Sequence, residues 1–325
     1  MSAVPESRPA TEPIDPHAIR VLVTGFGPFY KFNENPSWLA AKPLHNTTLY
    51  TDPPFDLAAD GETIITDEME QMAPKPQLIH ITAIQIPVSY QAVLAVTPGL
   101  YARPPALPKP TDPTIVMPPP PPNGYDFMFH IGVAGRGPLR IEKLSHKFGY
   151  RMKDAEGHYA PTVHLPKEGP RDPAEASEVE RMEQYLGLVS SPSAHGPSGD
   201  HVVTESPEVP PNRGFGKGYE TFPEELHTDI DVPKLIVHLK EGGIEQVYSS
   251  MDAGHYICDF IFYCSLAEAK RVSSRQEKFK DRGSPTKSTP VLFMHCPPVG
   301  QPLATEEVTE AIRRVISYVC SRLSQ

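Results

Sequence analysis

Strand-like apolar runs alternate with helix-like stripes along this chain, and that alternation constrains its architecture more than any other feature. Ile19 to Thr24 reads as a short buried strand closing on Gly25. Asn35-Pro36-Ser37 reads as a helix start, Asn35 capping and Pro36 in the first turn. Leu78 to Ile86 alternates as a half-buried strand, and Tyr125 to Ile131 is a third, breaking into Gly132-Val133-Ala134-Gly135. Val232 to Leu239 reads as a helix closed by Gly242-Gly243, leading to the strand Gln246 to Ser249. Asp252-Ala253-Gly254 turns into a helix whose Ile257, Phe260, Ile261 and Cys264 fall at i, i+3, i+4 and i+7. Pro290 to Met294 is another strand. Thr305 caps a last helix with Glu306 and Glu307 in its first turn, and Val308, Ile312, Val315, Ile316, Val319 and Leu323 form its buried stripe. Strands alternating with helices predict an α/β fold, a mostly parallel or mixed sheet with helices on both faces.

Proline interrupts this pattern in places. It makes up 40 of 325 residues, well above the usual ~5%. Ten prolines fall between Arg103 and Pro122, five of them consecutive from Pro118 to Pro122. Such a tract favours polyproline II and cannot serve as a ladder strand or helix interior. The stretches near 187–218, rich in Ser, Pro and Gly, and 270–289, polar and basic, also lack apolar residues to offset their ordering entropy. The expected organisation is a disordered tail over 1–16 and a single domain over 17–325, with insertions near 102–124, 187–218 and 270–289.

Charge and cysteine usage narrow the partners. A net charge of −10 argues against nucleic acid or an anionic membrane surface. No apolar run approaches the ~18–20 residues of a membrane span, and Met1 to Pro16 has no basic-then-apolar signal pattern. Four cysteines without CxxC pairs suit neither a disulfide scaffold nor a zinc site. A soluble, cytoplasmic protein is expected.

Ligand sites in open α/β sheets gather where strands give way to loops. Three junctions qualify. In Thr24-Gly25-Phe26-Gly27-Pro28-Phe29 the third glycine of a dinucleotide fingerprint is missing. That segment reads as a tight turn with core phenylalanines, or as an apolar clamp where glycine lets the backbone approach a ligand. Cys258 lies about one turn into the Ile257 helix, where the helix dipole lowers a thiol pKa. A lone cysteine is more often a small buried hydrophobe, and Cys264 on the apolar stripe fits that description. His295 follows the strand Val291 to Met294, whereas His80 and His130 read as satisfied core residues. A nucleophilic thiol needs a base, and the base needs a group to orient it. Glu142, Asp252 and Asp259 are candidates for that role, and spacing does not choose among them.

Four segments then carry a family resemblance. Val21-Leu22-Val23-Thr24-Gly25-Phe26-Gly27-Pro28-Phe29, with Asn35-Pro36-Ser37 after it, resembles the N-terminal signature of pyroglutamyl peptidase I, the C15 cysteine peptidases. His130-Ile131-Gly132-Val133-Ala134-Gly135 leading to Ile141-Glu142-Lys143 is similar to its acidic motif. Ser250 to Phe260 is similar to its cysteine motif, and Phe293-Met294-His295-Cys296-Pro297-Pro298 to its histidine motif. The resemblance implies a three-layer α/β/α sandwich that hydrolyses the N-terminal pyroglutamyl residue from peptides. It implies Cys258 as nucleophile, His295 as general base and acid, and Glu142 as the group orienting it. It further implies Phe26, Phe29 and Val133 as substrate-binding, with no metal or cofactor.

The chain also departs from the family pattern. The stretch Gly132 to Glu142 is one residue shorter than usual, Tyr30 and Lys31 replace glycines, and Asp259 stands where many members have asparagine. Arg151 is the nearest basic residue after the acid. Two other readings are a catalytically silent relative that binds blocked N-termini, and a scaffold acting through the proline tract.

Overall fold

The computed structural model describes residues 8–9, 13–52, 75–163, 211–279 and 288–323. Among these described residues ten strands follow in chain order: β1 (Arg8–Pro9), β2 (Ile19–Phe26), β3 (Thr47–Tyr50), β4 (Leu78–Ile86), β5 (Phe127–Val133), β6 (Leu139–Glu142), β7 (Leu144–His146), β8 (Glu225–His227), β9 (Val247–Ser250) and β10 (Val291–Cys296). Five α-helices of the described residues interleave with them: α1 (Pro36–Ala41), α2 (Tyr90–Leu100), α3 (Val232–Glu241), α4 (Ile257–Phe279) and α5 (Thr305–Leu323). Eight strands form one sheet in the order β1-β3-β4-β2-β5-β10-β6-β9, while β7 and β8 pair separately. The neighbours β4, β2, β5 and β10 are parallel, and β3 and β6 join antiparallel.

Alternation along the strands divides two cores between the faces of this sheet. Val21, Val23, Phe127, Phe129, Leu292 and Met294 pack against Trp38 of α1, Leu235 of α3 and Ile312 of α5. Leu22, Met128 and Phe293 point the other way, onto Tyr90 of α2 and Phe260 and Cys264 of α4. The result is a three-layer α/β/α sandwich with a mixed sheet, as expected. Each fully buried Phe or Ile contributes roughly 1.5–3 kcal/mol of transfer free energy, so these two layers carry most of the stability.

Local chemistry explains the helix starts. Asn35 caps α1 by accepting from the Ser37 N–H, with Pro36 at the first position. Asp231 caps α3 by accepting from the Lys234 N–H, and Gly242 closes it. Over Phe260 to Cys264 every residue of α4 is buried, which marks a helix enclosed on all sides and not only along one stripe. Its helical register continues through Lys270 to Phe279, inside the stretch read as an insertion.

The proline-rich segment is held at several points. Lys42 Nζ meets Asp112 Oδ2 at 2.8 Å, and the Thr111 hydroxyl donates to Gln85 Oε1 at 2.8 Å. His45 Nε2 lies 3.1 Å from the Val116 carbonyl, and Arg20 Nη2 donates to the Pro119 carbonyl at 3.1 Å. Pro118 and Pro121 are buried while Pro119, Pro120 and Pro122 are exposed. That three-residue spacing is the period of a polyproline II helix with one face against the body. The stretch 187–218 lies outside the described residues up to 210, as does most of the tail over 1–16. Among the described residues, no helix is long and apolar enough to cross a membrane.

Candidate active site

Strand β5 continues two residues beyond the sequence expectation, to Val133, because Gly132 stays in register with β10. His295 pairs with Gly132, and Cys296 with Val133. His295 therefore lies within β10. Two residues before it, Phe293 faces the α2–α4 layer, and a strand repeats its facing every second residue. His295 thus faces the same layer, and its ring centroid lies 4.8 Å from that of Phe293.

The antiparallel β6 brings the acid alongside. Glu142 is the register partner of Phe293, and Arg140 that of His295. Glu142 Oε1 lies 2.6 Å from His295 Nδ1, with Glu142 fully buried and His295 only 4% exposed. The other carboxylate oxygen, Oε2, has no hydrogen-bond partner among the described residues. With Nδ1 engaged, His295 has Nε2 left to exchange a proton.

Cys258 arrives from the opposite layer. It is the second residue of α4, after a turn in which Gly254 adopts φ +71°. Its sulfur lies 2.8 Å from the point where a Cβ on Gly132 would sit, and Phe293 Cζ is 2.7 Å from the same point. Only glycine leaves room there. The sulfur thus packs on the strand position registered with His295, on the face that also carries Glu142. Among the four cysteines, Cys264, Cys296 and Cys320 are buried and Cys258 is only partly so. As one of the first four helical residues, it has a backbone N–H without a partner inside its helix.

The electrostatics run against the helix-start expectation. Burial pushes the Cys258 thiol well above its ordinary value, and Glu142, Asp259 and Cys296 push the same way, with Arg140 opposing. Loss of solvation and two nearby carboxylates outweigh the helix dipole, so the resting group is a thiol. Arg140 was not selected from the sequence, although its place two residues before Glu142 puts it on the same strand face.

The remaining candidates sort by contact. Asp252 is exposed and accepts from the Gly254 N–H at 2.8 Å, within its own turn. Asp259 is fully buried and accepts from the His146 N–H and the Tyr150 hydroxyl. Neither is bonded to His295. Arg151 is exposed. His130 is enclosed between Thr24 Oγ1 at 2.8 Å and Ser265 Oγ at 2.7 Å, a satisfied core residue as read, whereas His80 meets Asn46 Oδ1 at 2.9 Å through Nε2 but its buried Nδ1 has no partner among the described residues.

The wall beside the sulfur is aromatic. Phe29 lies 5.6 Å from Tyr256 between ring centroids, and both pack on the cluster that includes Cys258. Phe26 is 3% exposed and forms part of that cluster's buried interior. Val133 is half-buried at the end of β5. Phe29 and Phe32 exchange backbone hydrogen bonds around a two-residue tip, where Tyr30 takes φ +51° and is 90% exposed. The clamp reading of Gly25 gives way to a packing one. A Cβ there would lie 2.8 Å from the Trp38 Cα, so this glycine admits α1 and not a ligand.

No family model matches the chain. The mouse and human proteins named pyroglutamyl-peptidase 1 are each 22% identical to it over 307 residues, 94% of this chain and 91% of theirs. The crystal structure of Bacillus amyloliquefaciens pyroglutamyl peptidase I superposes with a TM-score of 0.51 at 16% identity, covering 93% of this chain and 97% of its own. The pyrrolidone carboxyl peptidase from Fervidobacterium islandicum gives 0.51 at 17% identity, covering 93% and 99%. The chain is similar to these peptidases over nearly its whole length, and it shares their α/β fold.

Proposed function

We propose that this chain is a cysteine peptidase that removes an N-terminal pyroglutamyl residue from peptides. Its reacting groups are Cys258, His295 and Glu142. The observation that carries the reading is the buried 2.6 Å contact between His295 Nδ1 and Glu142 Oε1, on the sheet face against which the Cys258 sulfur packs. The similarity to pyroglutamyl peptidases in sequence and fold supports the substrate class.

The chemistry follows from these positions. As Cys258 Sγ bonds to the pyroglutamyl carbonyl carbon, its proton passes to His295 Nε2, and the carbonyl oxygen takes the negative charge. The Cys258 N–H at the start of α4 donates to that oxygen. The C–N bond then breaks, and the Nε2 proton goes to the departing amine. Water attacks the thioester and gives a proton to Nε2, and the thiol regains it as pyroglutamate leaves. Glu142 holds the imidazole in the tautomer with Nδ1–H and stabilises the imidazolium between steps. Because the resting sulfur is protonated, this transfer belongs to the substrate-bound state. The lactam is neutral, so the aromatic face at Phe29 and the backbone near Val133 suit it better than ion pairs, with Phe26 part of the buried interior that supports them.

Release of coumarin from a pyroglutamyl-coumarin reporter by the native chain, abolished in Cys258→Ala, is the expected result. Absent turnover with retained binding of pyroglutamate would replace this reading with that of a binder of blocked N-termini.

A further inference from the structure

A second histidine–carboxylate pair lies beside the same sulfur. Asp259, next to Cys258 and fully buried, has both oxygens 3.2 Å from the His146 backbone N–H, and Oδ2 accepts the Tyr150 hydroxyl at 2.8 Å. The His146 ring places Nδ1 3.4 Å from Oδ1 and stacks on His255, with ring centroids 4.3 Å apart. His255 in turn fills the space over Gly149, where a Cβ would lie 2.4 Å from its ring, and Gly149 itself has φ +101°. The segment from β7 to Tyr150 is thereby clamped onto the first turn of α4. The His146 side chain is 20% exposed, so it exchanges protons with solvent while its carboxylate partner does not meet water.

We propose that His146 is a positioning residue for the Cys258 reaction: when protonated it screens the Asp259 charge beside the sulfur, and when neutral it leaves that charge facing the thiol. The inference deepens the peptidase reading and rests on Cys258 being the reacting group. The groups acting on His146 are Asp259 from α4, Glu225 from β8 and Asp252 from the turn before α4, all favouring its charged form. Those acting on Cys258 are Glu142 and Arg140 from β6, Cys296 from β10 and Asp259, and Tyr256 of the turn is coupled to it as well. His146 is raised from its ordinary value, mainly by its bond to Asp259, with burial opposing. Its screening is therefore present at acidic to neutral pH and lost as pH rises through its titration.

Iodoacetamide alkylation of Cys258, mapped by mass spectrometry, reads this without any turnover. At about pH 6, His146→Gln should react roughly three- to tenfold more slowly than the native chain, and at about pH 9 the two should converge. Asp259→Asn should accelerate alkylation at pH 9 more than at pH 6, and His146→Gln should have no effect in that background. A ratio of native to His146→Gln rates that is the same at both pH values, or equal acceleration by Asp259→Asn at both, would overturn the proposal. That result would leave the pair a structural clamp only. Should His146→Gln fail to fold, the Asp259→Asn comparison decides alone. The expected alkylation pattern in a chain that cleaves no pyroglutamyl reporter would keep this inference and sink the peptidase reading.

Discussion

Replacing Gly132 by alanine tests whether the close approach of strand and sulfur is what makes the site work. Strand backbone accepts alanine, so the perturbation is one of volume and not of conformation. The new methyl would sit 2.8 Å from Cys258 Sγ and 2.7 Å from Phe293 Cζ. Ordinary carbon contacts lie at ~3.5–4.0 Å, so each neighbour must retreat by at least about 0.7 Å. Phe293 can tilt, but it is fully buried and its ring contacts both Phe262 and His295. Overpacking of this kind costs about 1–3 kcal/mol, which for a chain this long lowers the melting temperature by roughly 2–6 °C. The kinetic penalty should be larger in proportion. A misplacement near 1 Å at a reacting group costs on the order of 100-fold, so pyroglutamyl-reporter turnover should fall tens-fold while most of the chain stays folded at 25 °C. Reporter kinetics beside a thermal melt separate the two effects. Native turnover in a Gly132→Ala protein would show that the sulfur does not work from this position.

Two further outcomes follow from buried groups. Glu142→Gln should lower kcat by about 10²–10⁴ while circular dichroism stays native, since the amide can offer its N–H to His295 Nδ1 and favour the wrong tautomer; unaltered rates would remove Glu142 from the reaction. Burial lowers His130 to about 3 and His80 to about 4, the latter helped by Arg20 and His45. Both stay neutral in the fold while the unfolded chain binds protons below its ordinary histidine value, so stability falls with acidification. Each should cost about 1.4 kcal/mol per pH unit below roughly pH 6.5. Urea titrations at pH 7 and pH 5 should show that loss, and His130→Gln should roughly halve it, leaving the His80 share.

The parts legible in the sequence were those with a local cause. Ile19 to Thr24 announces itself by an apolar run, Leu78 to Ile86 by its alternation, although that strand is buried on both faces, and the α5 stripe by its 3.6-residue period. Helix α2 did not, because Pro98 and Gly99 interrupt its pattern and its order comes from Tyr90 and Val93 packed beneath it. The four-residue β6 is too short to show a period, yet it carries both Glu142 and Arg140. Spacing could not choose Glu142 over Asp252 and Asp259, since its antiparallel place beside β10 is a tertiary fact; the family motif selected it. The thiol's raised pKa was illegible for the same reason. A helix start is visible in sequence, whereas burial and the Asp259 carboxylate's surroundings are not. The proline segment carries no periodic signal of its own, and its anchors are isolated residues such as Asp112, Thr111 and Ile115.

One feature of the sheet reaches beyond chemistry. Strand β10 is among the last segments in the order of the chain, yet it lies between β5 and β6. During synthesis, every other strand emerges before it, leaving two raw borders that only β10 can seal. A ribosome stalled ahead of Val291, or a proteolytic cut there, would strand a five-stranded and a two-stranded piece with unpaired amides and carbonyls facing each other across a gap one strand wide. Such fragments should be sticky and chaperone-dependent, and hydrolytic capacity should switch on only when the seam closes.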